Sequence, residues 1–148
     1  MIDNSQVEIL FVEDNLHEAE LTIRSLKKHN LANKLKHVDD GVEALDFLFS
    51  RGAYEEQLYS PEPKLIILDL KLPKIDGLEI LRQLKADEKT KMIPVVVLTS
   101  SQEERDIVES YRLGVNSYIV KPVNFESFGK AVADLGLYWV ILNHRPDA

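Results

Sequence analysis

In the middle of the chain, residues 65–77 read Leu65-Ile66-Ile67-Leu68-Asp69-Leu70-Lys71-Leu72-Pro73-Lys74-Ile75-Asp76-Gly77. Four aliphatic residues run without a break into Asp69, and a run that short between Pro63 and Pro73 is typical of a strand buried on both faces. Asp69 is therefore predicted to end that strand, at the edge where open parallel α/β sheets place their ligand crevice. Taken alone, Asp69 would be explained better as a turn or cap residue, so its role depends on what the other strand ends provide.

The composition is that of an ordinary globular domain and argues against several kinds of protein. The 148 residues suit a single domain and contain no apolar run near the ~18 residues that a membrane span needs. The absence of cysteine excludes disulfides and thiolate metal sites and is compatible with the cytoplasm. The first residues lack the pattern of a secretory signal, and a net charge of −7 disfavours direct nucleic-acid binding. We therefore expect a cytoplasmic protein without membrane or nucleic-acid contacts.

Hydrophobic periodicity divides the chain into five strands that alternate with five helices. The predicted strands are 7–12, 35–38, 65–68, 94–98 and 117–120, and the predicted helices are about 16–29, 42–51, 78–89, 102–113 and 124–143. This alternation predicts an α/β fold, a doubly wound five-stranded parallel sheet with helices on both sides. Residues 1–148 are predicted to form one domain with no second one, and the long polar loop 53–64 is interpreted as a tolerated insertion.

Polar residues follow four of the predicted strands. Glu13 and Asp14 follow the first strand, Asp69 the third, Thr99 the fourth and Lys121 the fifth. Because the carboxyl ends of parallel strands share one edge of the sheet, these side chains are predicted to meet there. Any one of these residues alone is better explained as an unrelated polar residue at a strand end. Unrelated residues do not, however, explain why all four strand ends carry such side chains.

The chemistry of this set follows from its charge. Three clustered carboxylates repel one another, and a hard divalent cation relieves that repulsion. Oxygen ligands without cysteine or a histidine cluster favour Mg²⁺. A cation, a lysine and a hydroxyl together suit the spread negative charge of a phosphoryl group in transfer. A carboxylate can also be the nucleophile and form an aspartyl-phosphate, so phosphoryl transfer is a chemistry that such a site would support.

These residues give the chain a resemblance to the receiver domain of bacterial two-component response regulators, and the resemblance covers nearly the whole chain. Its motifs are the acidic pair Glu13-Asp14, the segment Leu68-Asp69-Leu70-Lys71-Leu72-Pro73 with Asp76-Gly77, Thr99 after an aliphatic strand, and Lys121-Pro122. Together these motifs are specific, although any one would be weak. The resemblance implies the flavodoxin-like, CheY-like version of the predicted fold.

The resemblance further implies that Asp69 accepts a phosphoryl group from a histidine kinase in the presence of Mg²⁺. Asp14 would ligate Mg²⁺ directly, and Glu13 would act from the same cluster through water. Asp69 and the backbone carbonyl of Lys71 would complete the protein's share of ligands. Such a protein is a signalling receiver of a phosphorelay rather than an enzyme, although it assists its own phosphorylation and dephosphorylation.

The resemblance also implies a switch. Lys121 would pair with the phosphoryl oxygens, and Thr99 would hydrogen-bond them once transfer is done. Tyr118 matches the family's aromatic switch position. In the family, the aromatic side chain turns inward and remodels the surface formed by the fourth helix, fifth strand and fifth helix, a local charge event that biases a two-state element. The alternative is that Tyr118 is a half-buried edge-strand aromatic without a switching role.

Two features depart from the commonest receiver pattern. Glu13 replaces the more usual first aspartate, and the loop 53–64 is longer than in minimal receivers. Long loops there, with an ending like Gly136-Leu137-Tyr138-Trp139, resemble single-domain receivers that partner phytochrome-type kinases. Residues 135–142 are apolar on more than one face of the last predicted helix, which favours either a homodimer or burial against the long loop.

The sequence thus predicts a stand-alone receiver without an output domain, which docks onto an unidentified target protein or relays the phosphoryl group. One alternative is an aspartyl-nucleophile phosphohydrolase, but such enzymes usually carry a second aspartate two residues later, where this chain has Lys71. Another alternative is a receiver-like binding module that is never phosphorylated. The intact set of Asp14, Asp69, Thr99 and Lys121 disfavours that second alternative.

Overall fold

The computed structural model describes residues 6–58, 60–121 and 130. Its strands are β1 (Ile9–Val12), β2 (Leu35–Val38), β3 (Leu65–Leu68), β4 (Val95–Thr99) and β5 (Ser117–Val120). Its α-helices are α1 (Leu16–Lys28), α2 (Gly41–Phe49), α3 (Gly77–Ala86) and α4 (Glu104–Arg112). Apart from residue 130, the predicted fifth helix, 124–143, lies outside the described residues, and so does the predicted homodimer contact at 135–142. Within the described ranges, no helix is long and apolar enough to cross a membrane.

The five strands form one parallel sheet in the order β2-β1-β3-β4-β5. Leu68 lies beside Val12 in one direction and beside Val97 in the other, so the central strands end close to one another at the same edge. These central strands, β1, β3 and β4, are buried throughout, whereas β2 and β5 are largely half-buried. The predicted five-stranded parallel sheet is confirmed, and burial on both faces explains the unbroken aliphatic runs of its centre.

Each side of the sheet has its own hydrophobic core, because successive residues of a strand face opposite sides. On one side, Leu10, Ile66 and Val97 pack with buried residues of α2 and α3. On the other side, Phe11 and Ile67 pack with buried residues of α1. Helices therefore cover both faces, as the alternation of strands and helices predicts.

Side-chain caps fix the starts of α1 and α2. Asn15 caps α1 by accepting a hydrogen bond from the Glu18 N–H at 3.0 Å. Asp40 caps α2 by accepting from the Glu43 N–H at 2.8 Å. Residues 39–41 thus contain the cap and first residue of α2. An aspartate before a helix satisfies a backbone donor that would otherwise lack a partner.

Other boundaries also differ from the prediction, and the largest difference is that α3 ends at Ala86 rather than at the predicted residue 89. α2 ends at Phe49 rather than near Arg51, because Ser50 adopts a left-handed conformation with φ of 53° that stops the helix. β1 begins at Ile9 rather than at Val7, although Val7 is itself buried in the core.

The first part of the loop 53–64 packs against α2. The ring of Tyr54 meets that of Phe47 edge-on, with centroids 5.4 Å apart, and its hydroxyl donates to Glu43 at 3.2 Å. The side-chain amide of Gln57 donates to the Phe47 carbonyl at 3.2 Å. This part of the predicted insertion is therefore anchored to the domain.

Gly77 lets α3 begin in direct contact with the loop that follows β3. Its N–H donates to the Leu70 carbonyl at 2.9 Å. A Cβ atom at Gly77 would lie 2.5 Å from Leu70 Cα and 2.6 Å from the Asp69 carbonyl oxygen, closer than real Cβ atoms approach. Only glycine therefore lets α3 set the position of the backbone around Asp69.

Replacing Gly77 with alanine is expected to lower the free energy of unfolding by about 3 kcal/mol, because backbone atoms must move to relieve the overlap. Urea unfolding followed by circular dichroism measures the change. Glu79→Ala is the matched control, since Glu79 lies on the exposed side of the same helix turn. The control should change stability by about 0.5 kcal/mol at most. Similar midpoints for the two variants would contradict this explanation of Gly77.

Candidate functional site

The sheet brings three carboxylates together at one edge. Glu13 and Asp14 follow β1 and Asp69 follows β3, and one oxygen from each lies within 4.8 Å of the others. The Asp69 N–H donates to the Val12 carbonyl at 3.1 Å, so the strand ladder itself sets the spacing of Glu13 and Asp69. Glu13 and Asp69 are buried, whereas Asp14 is exposed. The cluster is therefore closed on the protein side and open to solvent at Asp14.

Lys121, which follows β5, reaches into this cluster. Its Nζ lies 2.6 Å from Glu13 Oε1, 3.3 Å from Asp69 Oδ2 and 3.0 Å from Glu18 Oε2. Glu18 was not predicted to take part. Its available signal is its position three residues after the cap Asn15, which puts it in the first turn of α1, next to the end of β1.

The electrostatics of the cluster show an excess of negative charge. Burial raises the pKa of the Glu13 carboxyl to about 7, the Asp69 carboxylate acts in the same direction, and Lys121 opposes both. For Lys121, burial acts to lower the pKa, but hydrogen bonds to Glu13 and Glu18 outweigh it, so the pKa is raised and the ammonium stays charged. Among the described residues, the Lys121 ammonium thus pairs with three carboxyl groups, and the fourth, that of Asp14, lies beside two of them. An exposed carboxylate beside two buried ones suits a hard divalent cation.

The loop between β3 and α3, residues 69–76, contacts the Asp69 carboxylate through a backbone N–H. The Lys71 N–H donates to Asp69 Oδ1 at 3.1 Å, so the main chain of Lys71 lies beside the predicted acceptor. The Lys71 side chain points to α4, where its Nζ lies 3.4 Å from Asp106 Oδ2. Lys71 therefore contacts Asp69 with its backbone and α4 with its side chain.

Thr99, the last residue of β4, is fully buried. Its hydroxyl oxygen accepts a hydrogen bond from the Ser101 N–H at 3.3 Å, so it is engaged with the turn that follows β4. The Ser101 hydroxyl in turn accepts from the Glu103 N–H at 3.4 Å. This turn explains why α4 begins at Glu104 rather than at the predicted Gln102.

Tyr118 on β5 contacts the same turn. Its hydroxyl donates to the Ser101 carbonyl at 3.1 Å, and burial raises the pKa of that hydroxyl. Thr99 and Tyr118, which are far apart in the sequence, therefore share Ser101 as a hydrogen-bond partner. Ser101 and its partner Asp106 were not predicted, because no pattern of spacing marks them.

The chain is similar to known proteins in sequence and in structure. A family model described as the response regulator receiver domain matches residues 9–133. Response regulator Rcp1 of Synechocystis sp. is 42% identical over 132 residues, which cover 89% of this chain and 88% of Rcp1.

Two solved structures share the fold over nearly their whole length. The crystal structure of the Mn²⁺-bound form of Rcp1 has a TM-score of 0.80 at 40% identity, covering 94% of this chain and 98% of that chain. The crystal structure of the phosphorylated cyanobacterial phytochrome response regulator RcpA has a TM-score of 0.82 at 37% identity, covering 96% of this chain and 99% of that chain.

Replacing Lys121 with methionine tests its role as the counter-ion of the cluster. In metal-free buffer the variant is expected to lose about 3 kcal/mol of unfolding free energy, because Glu13 and Asp69 remain buried without their shared cation. Lys34→Met is the control, since Lys34 pairs with Glu8 at 3.6 Å on the surface and should contribute about 1 kcal/mol at most. Urea titrations of the three proteins measure the difference, and equal losses for both variants would contradict the assignment.

Proposed function

The chain belongs to the response regulator receiver family, and on that basis we propose that Asp69 is the residue that accepts the phosphoryl group. The observation that carries this proposal is the meeting of Asp69 with Glu13, Asp14 and Lys121 at one sheet edge. A response regulator receiver is a signalling module of a two-component system. The proposal therefore concerns which residues of this chain receive and report the signal.

In the transfer that we propose, an oxygen of the Asp69 carboxylate attacks the phosphorus of a phosphohistidine on the kinase. The new P–O bond forms as the P–N bond breaks, and the electron pair of that bond returns to the imidazole nitrogen. The Lys121 ammonium, 3.3 Å from Asp69 Oδ2, is placed to pair with the transferred phosphoryl oxygens. Its raised pKa keeps it charged for that role.

Mg²⁺ is the cation that we propose for the acidic cluster, where it would neutralise charge on the phosphoryl oxygens. Asp14, Asp69 and the backbone carbonyl of Lys71 would hold it directly, and Glu13 would act through water. The oxygen-only donor set and the excess of carboxylates support this choice of ion. The Mn²⁺-bound structure of the similar protein Rcp1 is consistent with a divalent ion in such a fold.

We propose that Thr99 and Tyr118 transmit the conformational effect of phosphorylation at Asp69. To reach a phosphoryl group on Asp69, the Thr99 side chain would turn so that its O–H donates to a phosphoryl oxygen, and this turn would alter the hydrogen bond that its oxygen accepts from the Ser101 N–H. Tyr118 bonds the carbonyl of that same Ser101, so movement of the turn would reach β5 directly. This shared partner favours a switching role for Tyr118 over a passive one.

The partner that we propose is a histidine kinase of the phytochrome type, because the similar structure of RcpA is that of a phytochrome response regulator. We further propose a cytoplasmic single-domain receiver that assists its own phosphorylation and dephosphorylation and docks onto a target protein. The near-complete coverage of Rcp1 supports the single-domain proposal. A homodimer through residues 124–143 stays a prediction.

Incubation with acetyl phosphate and Mg²⁺ is expected to add one phosphoryl group to the wild-type protein, measured as intact mass. Asp69→Asn should take up none, because the amide oxygen is a poor nucleophile, and chelation of Mg²⁺ should also abolish uptake. Asp76→Asn serves as the control, since this exposed residue of the same loop caps α3 and asparagine caps equally well. Uptake by Asp69→Asn would place the acceptor elsewhere. No uptake by the wild type would favour a binding module that is never phosphorylated.

A further inference from the structure

The Lys121 ammonium has a carboxylate partner for each of its three N–H donors. Its Nζ lies 2.6 Å from Glu13 Oε1, 3.3 Å from Asp69 Oδ2 and 3.0 Å from Glu18 Oε2. A lysine ammonium has three donors and no acceptor, so these contacts use its whole bonding capacity. A phosphoryl group on Asp69 must therefore compete with one of these carboxylates for Lys121.

The three partners differ in how easily they can leave Lys121. The side chains of Glu13 and Asp69 are 2% and 7% exposed, so either one would lose its counter-ion inside the protein. The side chain of Glu18 is 35% exposed, and water can solvate its carboxylate when the ion pair breaks. A phosphoryl donor reaches the cluster from solvent and so meets this exposed partner first. Glu18 is therefore the carboxylate that is most readily displaced.

The Glu18 carboxylate contacts Lys121 although its position in the sequence suits another role. Asn15 and Glu18 have the spacing of a capping box, in which the glutamate side chain returns to the N–H of the cap residue. Here the Asn15 N–H donates to Glu13 Oε2 at 3.3 Å instead. The backbone of Glu18 takes part in capping α1, whereas its carboxylate extends to the lysine that follows β5.

We propose that Glu18 is a positioning residue that occupies the solvent side of the Lys121 ammonium until a phosphoryl group on Asp69 displaces it. The inference rests on the proposed function of Asp69 and Lys121. Before transfer, Glu18 helps to hold the ammonium beside the acceptor. After transfer, a phosphoryl oxygen takes the donor that Glu18 used, and the Glu18 carboxylate turns to water. The contact thus opposes phosphoryl binding by the strength of one partly exposed ion pair.

The first arm of the test measures the affinity for beryllium fluoride, a phosphoryl analogue, by calorimetry at saturating Mg²⁺. Glu18→Gln should tighten binding roughly fivefold, the effect of one partly exposed ion pair. Glu18→Asp should tighten binding at least roughly twofold, because its shorter side chain draws the carboxylate about 1.5 Å back from Nζ. Glu20→Gln is the matched control. It removes the same charge from the same helix, where Glu20 pairs with Arg24 at 3.0 Å, and should leave the affinity unchanged.

Glu18→Asp separates displacement from other effects of Glu18, because this variant keeps the negative charge and removes the contact. Simple repulsion between the Glu18 charge and the analogue predicts that Glu18→Gln binds more tightly and that Glu18→Asp binds as the wild type does. A merely structural role in holding α1 predicts weaker binding of both Mg²⁺ and beryllium fluoride in both variants. Displacement predicts tighter binding of beryllium fluoride in both, with the Mg²⁺ affinity of Glu18→Asp equal to that of the wild type.

The second arm uses the wild-type protein, so it does not depend on the folding of any variant. A crystal structure with Mg²⁺ and beryllium fluoride should show a fluorine atom in the place of Glu18 Oε2 at Lys121 Nζ. The Glu18 carboxylate should then lie beyond ion-pair distance from Nζ. A structure in which Glu18 stays on Nζ and only the contact with Asp69 is lost would overturn the proposal.

The outcomes separate this inference from the proposed function. Wild type that neither binds beryllium fluoride nor takes up a phosphoryl group from acetyl phosphate overturns both. Wild type that binds, with Glu18→Asp unchanged, overturns the displacement of Glu18 and leaves Asp69 as the acceptor. An equal effect of Glu20→Gln and Glu18→Gln overturns it in the same way.

Discussion

The molecule depends on one electrostatic constraint, the crowding of carboxylates at the carboxyl edge of its parallel sheet. The strand ladder leaves Glu13 and Asp69 no freedom to separate, because the Asp69 N–H is bonded to the residue before Glu13. Lys121 offsets part of the repulsion from within, and Asp14 leaves the remaining negative charge facing solvent. A site with this imbalance favours a divalent cation and, once the cation is bound, a phosphoryl group.

The two helices that follow β3 and β4 differ in what they bury. α3 starts at Gly77 with its backbone against Asp69 and Leu70, and its apolar face is buried. α4 instead buries Asp106 and Ser110. The first arrangement fixes the backbone at Asp69, whereas the second gives α4 a polar rather than an aliphatic buried surface.

Sequence reasoning succeeds here where one physical signal decides the outcome. The aliphatic run before Asp69 predicted β3, and the parallel sheet then predicted that distant strand ends would meet. Sequence reasoning fails where a contact depends on the direction of a side chain. Glu18, which reaches Lys121, and Asp106, which reaches Ser101, are the two examples. Asp106 has no spacing that distinguishes it from other charged residues on helix surfaces, and the position of Glu18 in the first turn of α1 does not tell which way its side chain points.

Calorimetric titration of the unphosphorylated protein with Mg²⁺ tests the central claim most directly. The account predicts one site in the wild type, strongly weakened in Asp14→Asn, which removes the exposed carboxylate of the cluster. Asp39→Asn should bind as the wild type does, because Asp39 belongs to a separate acidic group in which Lys74 already pairs with Asp40. Equal binding by the wild type and Asp14→Asn, or no binding by the wild type, would contradict the account.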